Sequence, residues 1–324
     1  MGQLEDYLRR WLTAGVIEDS TAERIRAFER EQDAMRAAEV SDRPGVIEVL
    51  LYLGVAVLAV GVFALMAQNW PELESGARVA VLAVPAMICL GAGALMHTSP
   101  QAGVNRAGQM AWLVAVGLAA GTLAVFLDEF QPSGVNFEDD PSGLLIVAGA
   151  TSALALGLWT LSPSHAQVLG LSGATFFLAQ ALGNWPDSFS AALAGMTLLG
   201  VGAAAIALTE AGLMRPKLSS QLLFGILGVA GVYQAGFADN GTVFEVLGFA
   251  VGAGLVVLGV MRQTFVYVFV GVGGLFVMLV TFIFEHFEDQ LGAPLALILS
   301  GAILIGAVLL LAQVRPALRQ GQQA

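Results

Sequence analysis

Charge is what these 324 residues have least of: Lys, Arg, Asp and Glu make up 12% of the chain. A soluble domain carries roughly 25%, so an ordinary water-exposed globule of this length is excluded. Cysteine is nearly absent as well. Cys89 stands alone, which excludes a disulfide framework, a zinc–cysteine site and a CxxC redox pair. Basic residues number 14 against 25 acids, a formal charge of −11, and this disfavours nucleic acid as a partner. The three histidines, His97, His165 and His286, are too far apart to pair at i+3 or i+4 on a helix. No G-x-S-x-G, H-E-x-x-H, Walker-type loop or Ser-x-x-Lys occurs, so the motifs that announce nucleophilic or metal-assisted hydrolysis are missing. The chain is read as non-enzymatic and without a cofactor.

Long apolar runs are what the chain does have. Hydrophobic residues make up 57% of it, and 39 glycines accompany them, as helices packed in lipid prefer. A bilayer crossing takes about 20 apolar residues. Ten such segments are expected, at 45–67, 76–96, 107–127, 142–161, 166–183, 188–208, 219–237, 243–261, 264–285 and 291–313. They lack the alternating pattern of barrel strands. The expected fold is therefore an all-α polytopic membrane bundle of about ten helices spanning 45–313. A cytosolic helical hairpin over 1–44 precedes it and a short tail over 314–324 follows.

The few charges are sorted. With the N-terminus inside, every basic residue but Arg78 falls on the inner side, while the outer turns carry Glu72, Glu74, Asp128, Glu129, Glu138, Asp139, Asp140, Asp187, Asp239, Glu285, Glu288 and Asp289. The positive-inside rule then puts both termini in the cytoplasm. Trp70 and Trp185 fall at outer boundaries and Trp112 and Trp159 at inner ones, as an aromatic belt requires. The first 44 residues have no apolar h-region, so no cleavable signal peptide is expected.

The head carries its own signals. Leu4, Tyr7, Leu8, Trp11 and Leu12 make an apolar helical stripe, and Gly15 suits the position just past the helix end. Ser20-Thr21-Ala22-Glu23 reads as a capping box opening a second helix, with Ile25, Phe28 and Met35 as its weaker stripe. Such a hairpin is too small for a core of its own. Leu4, Leu8, Trp11, Ile25 and Phe28 form its candidate docking face, towards the membrane, its own bundle or another protein.

Head and first hairpin together resemble a family of bacterial predicted membrane proteins, domain-of-unknown-function family 2157. The resemblance is carried by Leu8-x-x-Trp11-x-x-x-Gly15-x-Ile17, Ala22 and Ile25, then Gly54, Gly61, Ala67-x-Asn69-Trp70 and Arg78, over about residues 4–90. It implies a polytopic inner-membrane protein with a cytosolic head, and it supplies no catalytic or ligand residues.

Charges within a lipid span default to a functional reading because burying one costs about 3 kcal/mol. Glu48, one turn into the first span, is either a relay at the inner mouth or an interfacial carboxylate at a helix N-terminus. Near the other face, Asn69, Glu72, Gln180, Asn184, Asp187, Tyr233, Gln234, Glu245, Glu285 and His286 form a candidate polar outer mouth. Such a mouth suits cations, and the Glu285–Asp289 turn is either a weak cation site or a solvated acidic loop. Thr122, Thr151, Ser152 and Thr175 lie deeper. Gly117-x-x-x-Gly121, Gly248-x-x-x-Gly252, Gly271, Gly273 and Gly274 are candidate close-packing positions, and Pro85 a candidate kink. Asn69-Trp70-Pro71-Glu72 and Asn184-Trp185-Pro186-Asp187 match each other, as a repeat or as shared interfacial chemistry. The leading functional expectation is a docking, scaffold or regulatory membrane protein whose head meets a membrane or cytosolic protein. The alternative is a small-solute or cation transporter with an outward-facing acidic mouth.

Overall fold

The computed structural model describes residues 2–29, 67–135, 137, 141–185, 190–236 and 241–286, together with Val57, Ala64, Leu295, Ile298, Gly301 and Ala302 as single helical positions. The chain divides into two compact units, Met1–Glu72 with Gln101–Gly103, and Leu73–Pro100 with Val104–Ala324. No strand occurs among the described residues.

The first unit holds the head. Helix α1, Gly2–Thr13, ends where Gly15 takes a φ of +65°. Gly15 N–H donates to the Leu12 carbonyl at 3.1 Å and Val16 N–H to the Trp11 carbonyl at 2.9 Å. That crossed pair is a Schellman stop, which needs a residue free of Cβ strain at the left-handed position. Helix α2 covers 19–29 and starts earlier than the capping-box reading expects. The Glu18 carbonyl accepts from Thr21 and Ala22, so Glu18 flanks the helix and Ser20 lies inside its first turn. Glu18 and Asp19 supply anions at the positive helix end, which favours the earlier start. Leu8 and Ala22 are fully buried while Tyr7, Trp11 and Phe28 are exposed, so the hairpin buries aliphatic side chains rather than its aromatics. Trp70–Glu72, in the same unit, forms a single 3-10 turn.

The second unit contains eight helices long and apolar enough to cross a membrane: α3 Ser75–Met96, α4 Ala102–Phe130 (its first two residues belong to the first unit), α5 Pro141–Leu161, α6 His165–Gly183, α7 Ala191–Glu210, α8 Lys217–Ala235, α9 Gly241–Met261 and α10 Phe265–His286. They correspond to the second through ninth expected spans. The first and tenth, at 45–67 and 291–313, lie mostly outside the described residues, and the single positions described within them are helical.

From α5 to α9 each helix packs on the next, and α6 also packs on α8. Helices α6 and α8 are among the least apolar of the eight and are the two most buried. Lipid rewards apolar surface only where lipid touches it, so the helices shielded by neighbours are free to carry Gln167, Ser172, Thr175, Ser220 and Gln221.

Glycines set the closest crossing. A Cβ on Gly231 of α8 would stand 2.5 Å from the Gly195 carbonyl of α7, and one on Gly202 would stand 2.8 Å from the Phe224 carbonyl. Backbone meets backbone here, at positions the sequence reading did not single out. On α9 and α10 the expected glycines do serve: a Cβ on Gly271 would meet the Gly252 carbonyl at 2.7 Å, and one on Gly248 the Met278 sulfur at 2.6 Å. Gly117 and Gly273 do not, because nothing lies within 4 Å of their Cβ positions. Pro85 lies inside α3 without ending it. Trp112 departs from the belt reading: it is 3% exposed, its ring fills the slot left by Gly93, and its Nε1 donates to the Leu90 carbonyl at 3.1 Å.

Because a carbonyl oxygen cannot step aside, Gly231→Ala should destabilise the bundle by about 1–3 kcal/mol. Gly149→Ala, whose Cβ has open space, should leave it unchanged or slightly firmer by helix propensity. Thermal unfolding of both variants in one detergent checks the contrast.

Candidate functional site

The expected outer-mouth residues resolve into separate groups. Gln180 of α6 and Gln234 of α8 face each other and exchange two amide hydrogen bonds, 2.9 Å from Gln180 Nε2 and 2.8 Å from Gln234 Nε2. Asn184 caps the end of α6, donating its Nδ2 to the Gln180 carbonyl at 3.1 Å. This group therefore satisfies itself. Asn69 and Glu72 are exposed and belong to the first unit. Asp187 and Glu48 lie outside the described residues, as does the side chain of Leu4.

Tyr233, Glu245, Glu285 and His286 come together at the ends of α8, α9 and α10. One ligand atom from each of Glu245, Glu285 and His286 lies within 4.8 Å of the others. A cavity of ≈ 20 Å³ beside them is lined by Tyr233, Glu245, Thr281, Phe282 and Glu285, which is room for about one water molecule or bare ion. His286 Nδ1 stands 3.0 Å from the Phe282 carbonyl. A carbonyl can only accept, so Nδ1 carries the hydrogen and Nε2 is left to face Glu245 Oε2 at 3.9 Å. The imidazole stacks on Phe282 with ring centroids 4.4 Å apart. Protonated, the group is an ion pair; neutral, it offers one nitrogen and two carboxylates to a cation, with water completing the shell that oxygen-seeking ions require.

The deeper hydroxyls are turned back on their own helices. Thr122 donates to Leu118, Thr151 to Val147 and Thr175 to Leu171, all at 2.7–2.8 Å. Ser152 reaches across instead, to the Ala174 carbonyl at 3.1 Å. Arg78, the one basic residue expected outside, pairs with Glu129, which also accepts from Ser75 Oγ at 2.6 Å. The exception to the charge sorting is thus neutralised between α3 and α4.

Sequence reasoning missed Glu210. At the last residue of α7 its side chain is 10% exposed. Oε1 accepts from Tyr267 Oη at 2.8 Å and Gln221 Nε2 at 2.9 Å. Oε2 lies 3.4 Å from Lys217 Nζ and 3.6 Å from Arg262 Nε. A carboxylate at a helix C-terminus opposes the dipole, and that misplacement was the available signal. One carboxylate thereby ties α7 to α8, α10 and the turn between α9 and α10. Elsewhere at this end, Asn105 donates to the His97 carbonyl, Gln109 to Asn105, and Gln167 Nε2 to the Gln109 carbonyl at 3.0 Å. Gln167 Oε1 is the buried side-chain oxygen left without a partner among the described residues.

On the head, Trp11 is 41% and Phe28 59% exposed, Ile25 is half-buried and Leu8 is buried. Tyr7, 52% exposed, lies with its ring centroid 6.0 Å from that of Trp11. Leu8, expected on the docking face, is therefore buried instead, while Tyr7 stands exposed beside Trp11.

Eight helices long and apolar enough to cross a membrane, among the described residues, define a multi-pass α-helical membrane protein. Residues 9–164 match the family described as predicted membrane protein (DUF2157). The match runs from the head through α5, well past the first hairpin, while Glu210, the glutamine pair and the Glu245–His286 group fall outside it. No curated protein and no solved structure matches the chain.

Removing one half of the glutamine pair should expose its worth. Gln180→Ala strands the Gln234 amide and should cost about 1–3 kcal/mol, whereas Gln180→Leu combined with Gln234→Leu should recover most of it. A thermal-unfolding series of single and double variants measures the difference.

Proposed function

We propose that this protein is a non-enzymatic inner-membrane docking protein, its helix bundle an anchor and its head the element that engages another protein. The carrying observation is the head's division of labour. Leu8 and Ala22 are buried while Tyr7, Trp11 and Phe28 stand exposed, and large aromatics left outward are what partner interfaces are built from. The sorting of basic and acidic residues supports a cytoplasmic head and tail. Support for a non-catalytic bundle comes from the deeper polar groups, which are committed to backbone carbonyls or to each other.

A photocrosslinking residue at Trp11 or Phe28, in membranes from cells producing the full chain, should give a discrete protein adduct. Trp11→Ala combined with a crosslinker at Phe28 should weaken it at least several-fold. Adducts to lipid alone, or none, overturn the docking reading.

A second reading, cation handling at the outer end, is favoured by the Glu245–Glu285–His286 group. It requires that a divalent cation such as Mn²⁺ raise the thermal midpoint of the native chain but not that of Glu245→Gln. An equal response in both removes it.

A further inference from the structure

Between α5, α6, α7 and α8, near the end of the bundle that carries Glu210, lies an apolar groove of ≈ 350 Å³. Its floor is made of small or buried residues, among them Ala205 at 6% exposed and Phe224 at 1%, and its rim is Leu156, Leu208 and Leu213, 47–69% exposed. Gly200 lines it with open space above: a Cβ built there meets nothing within 4 Å. At one end it is closed by the turn between α7 and α8, where Gly212 has a φ of +78° and Leu213 and Met214 fold back to line it. Trp159, also lining the groove, donates its Nε1 to the Arg215 carbonyl at 2.8 Å. The indole thus ties the groove wall to the backbone of a basic residue.

Arg215 follows Met214 in this turn, and Lys217 opens α8 two residues on. Lys217 and Arg262 share the single carboxylate of Glu210. Arg215 is exposed and has no ion pair among the described residues. The local balance is three positive charges against one negative, beside an interfacial tryptophan and a slot walled by hydrocarbon.

We propose that this is a binding site for an anionic phospholipid, with an acyl chain in the groove and the phosphate on Arg215, backed by Lys217 and Arg262. The chemistry follows from the bilayer as solvent. A lateral groove among membrane helices is filled by a lipid chain, and basic clusters between helices at the interface choose anionic head groups. Arg215 supplies a guanidinium whose fork matches phosphate. Trp159 and the turn fix that guanidinium's backbone against the chain-binding slot, so headgroup and chain are recognised together. The site is independent of the head and of any partner it engages.

Native mass spectrometry of the full chain in mild detergent tests it, with dioleoyl phosphatidylglycerol and dioleoyl phosphatidylcholine titrated separately. The native chain should bind the first phosphatidylglycerol at least fivefold tighter than phosphatidylcholine. Arg215→Gln should weaken phosphatidylglycerol about fivefold, as expected of one interfacial charge, and leave phosphatidylcholine unchanged. Gly200→Leu, which fills open space, should lower retention of both lipids several-fold while keeping the native thermal midpoint. Equal affinity of the native chain for the two lipids overturns headgroup recognition. Native-level phosphatidylglycerol binding by Arg215→Gln overturns the assignment of the phosphate.

Discussion

Lipid offers no hydrogen bond, and the arrangement of this bundle follows from that constraint. Any polar group carried into the membrane must find its partner within the protein, at several kcal/mol if it fails. The chain meets the demand locally where it can, by bonding Thr122, Thr151 and Thr175 to the preceding turn. It meets the demand across helices where the group is too large, as with the reciprocal Gln180–Gln234 amides. The shielded helices are consequently the more polar ones. Helices α6 and α8 hold most of the buried side-chain amides and hydroxyls, and their neighbours shield them from lipid.

Close approach makes that shielding possible. Hydrophobic attraction between helices is weak when the solvent is itself hydrocarbon, so contact has to come from fit. Gly195, Gly202 and Gly231 allow α7 and α8 to touch along their backbones, which brings Glu210 at the end of one helix within reach of Gln221 on the other. Once there, the carboxylate gathers Tyr267, Lys217 and Arg262. The same small residues leave hollows where no partner helix arrives, and Gly200 marks one of them. Packing and the lipid groove are thus two outcomes of one composition.

Much of the architecture was legible because hydropathy and charge act along the chain. The second through ninth expected spans reappear within a few residues of their ends, and Gly15 stops its helix as its type requires. Geometry across the chain was not legible. Nothing in Gly248-x-x-x-Gly252 distinguishes it from Gly117-x-x-x-Gly121, yet only the former meets another helix closely at both positions, because neighbours decide and spacing does not. Gln180 and Gln234 were recognised as outer polar residues, but their mutual bond depends on the facing of two helices. Glu210 was invisible for a related reason. A carboxylate at a span boundary reads as interfacial until Tyr267, 57 residues away in sequence, is seen to donate to it. The head shows the opposite error: a stripe identifies the apolar face but not which member the hairpin consumes, and Leu8 was the one consumed.

The central claim is that the polar interior of the described bundle is sealed, with no water path along Thr175 and its neighbours. Cysteine accessibility tests it most directly. In a Cys89→Ser background, single cysteines at Thr175 and, as a reference, at Gln263 in the exposed turn after α9 are treated with a membrane-impermeant maleimide in right-side-out and inverted vesicles. The account predicts labelling of Gln263→Cys from one side and none of Thr175→Cys from either. Labelling of Thr175→Cys would show water at mid-bundle and contradict it.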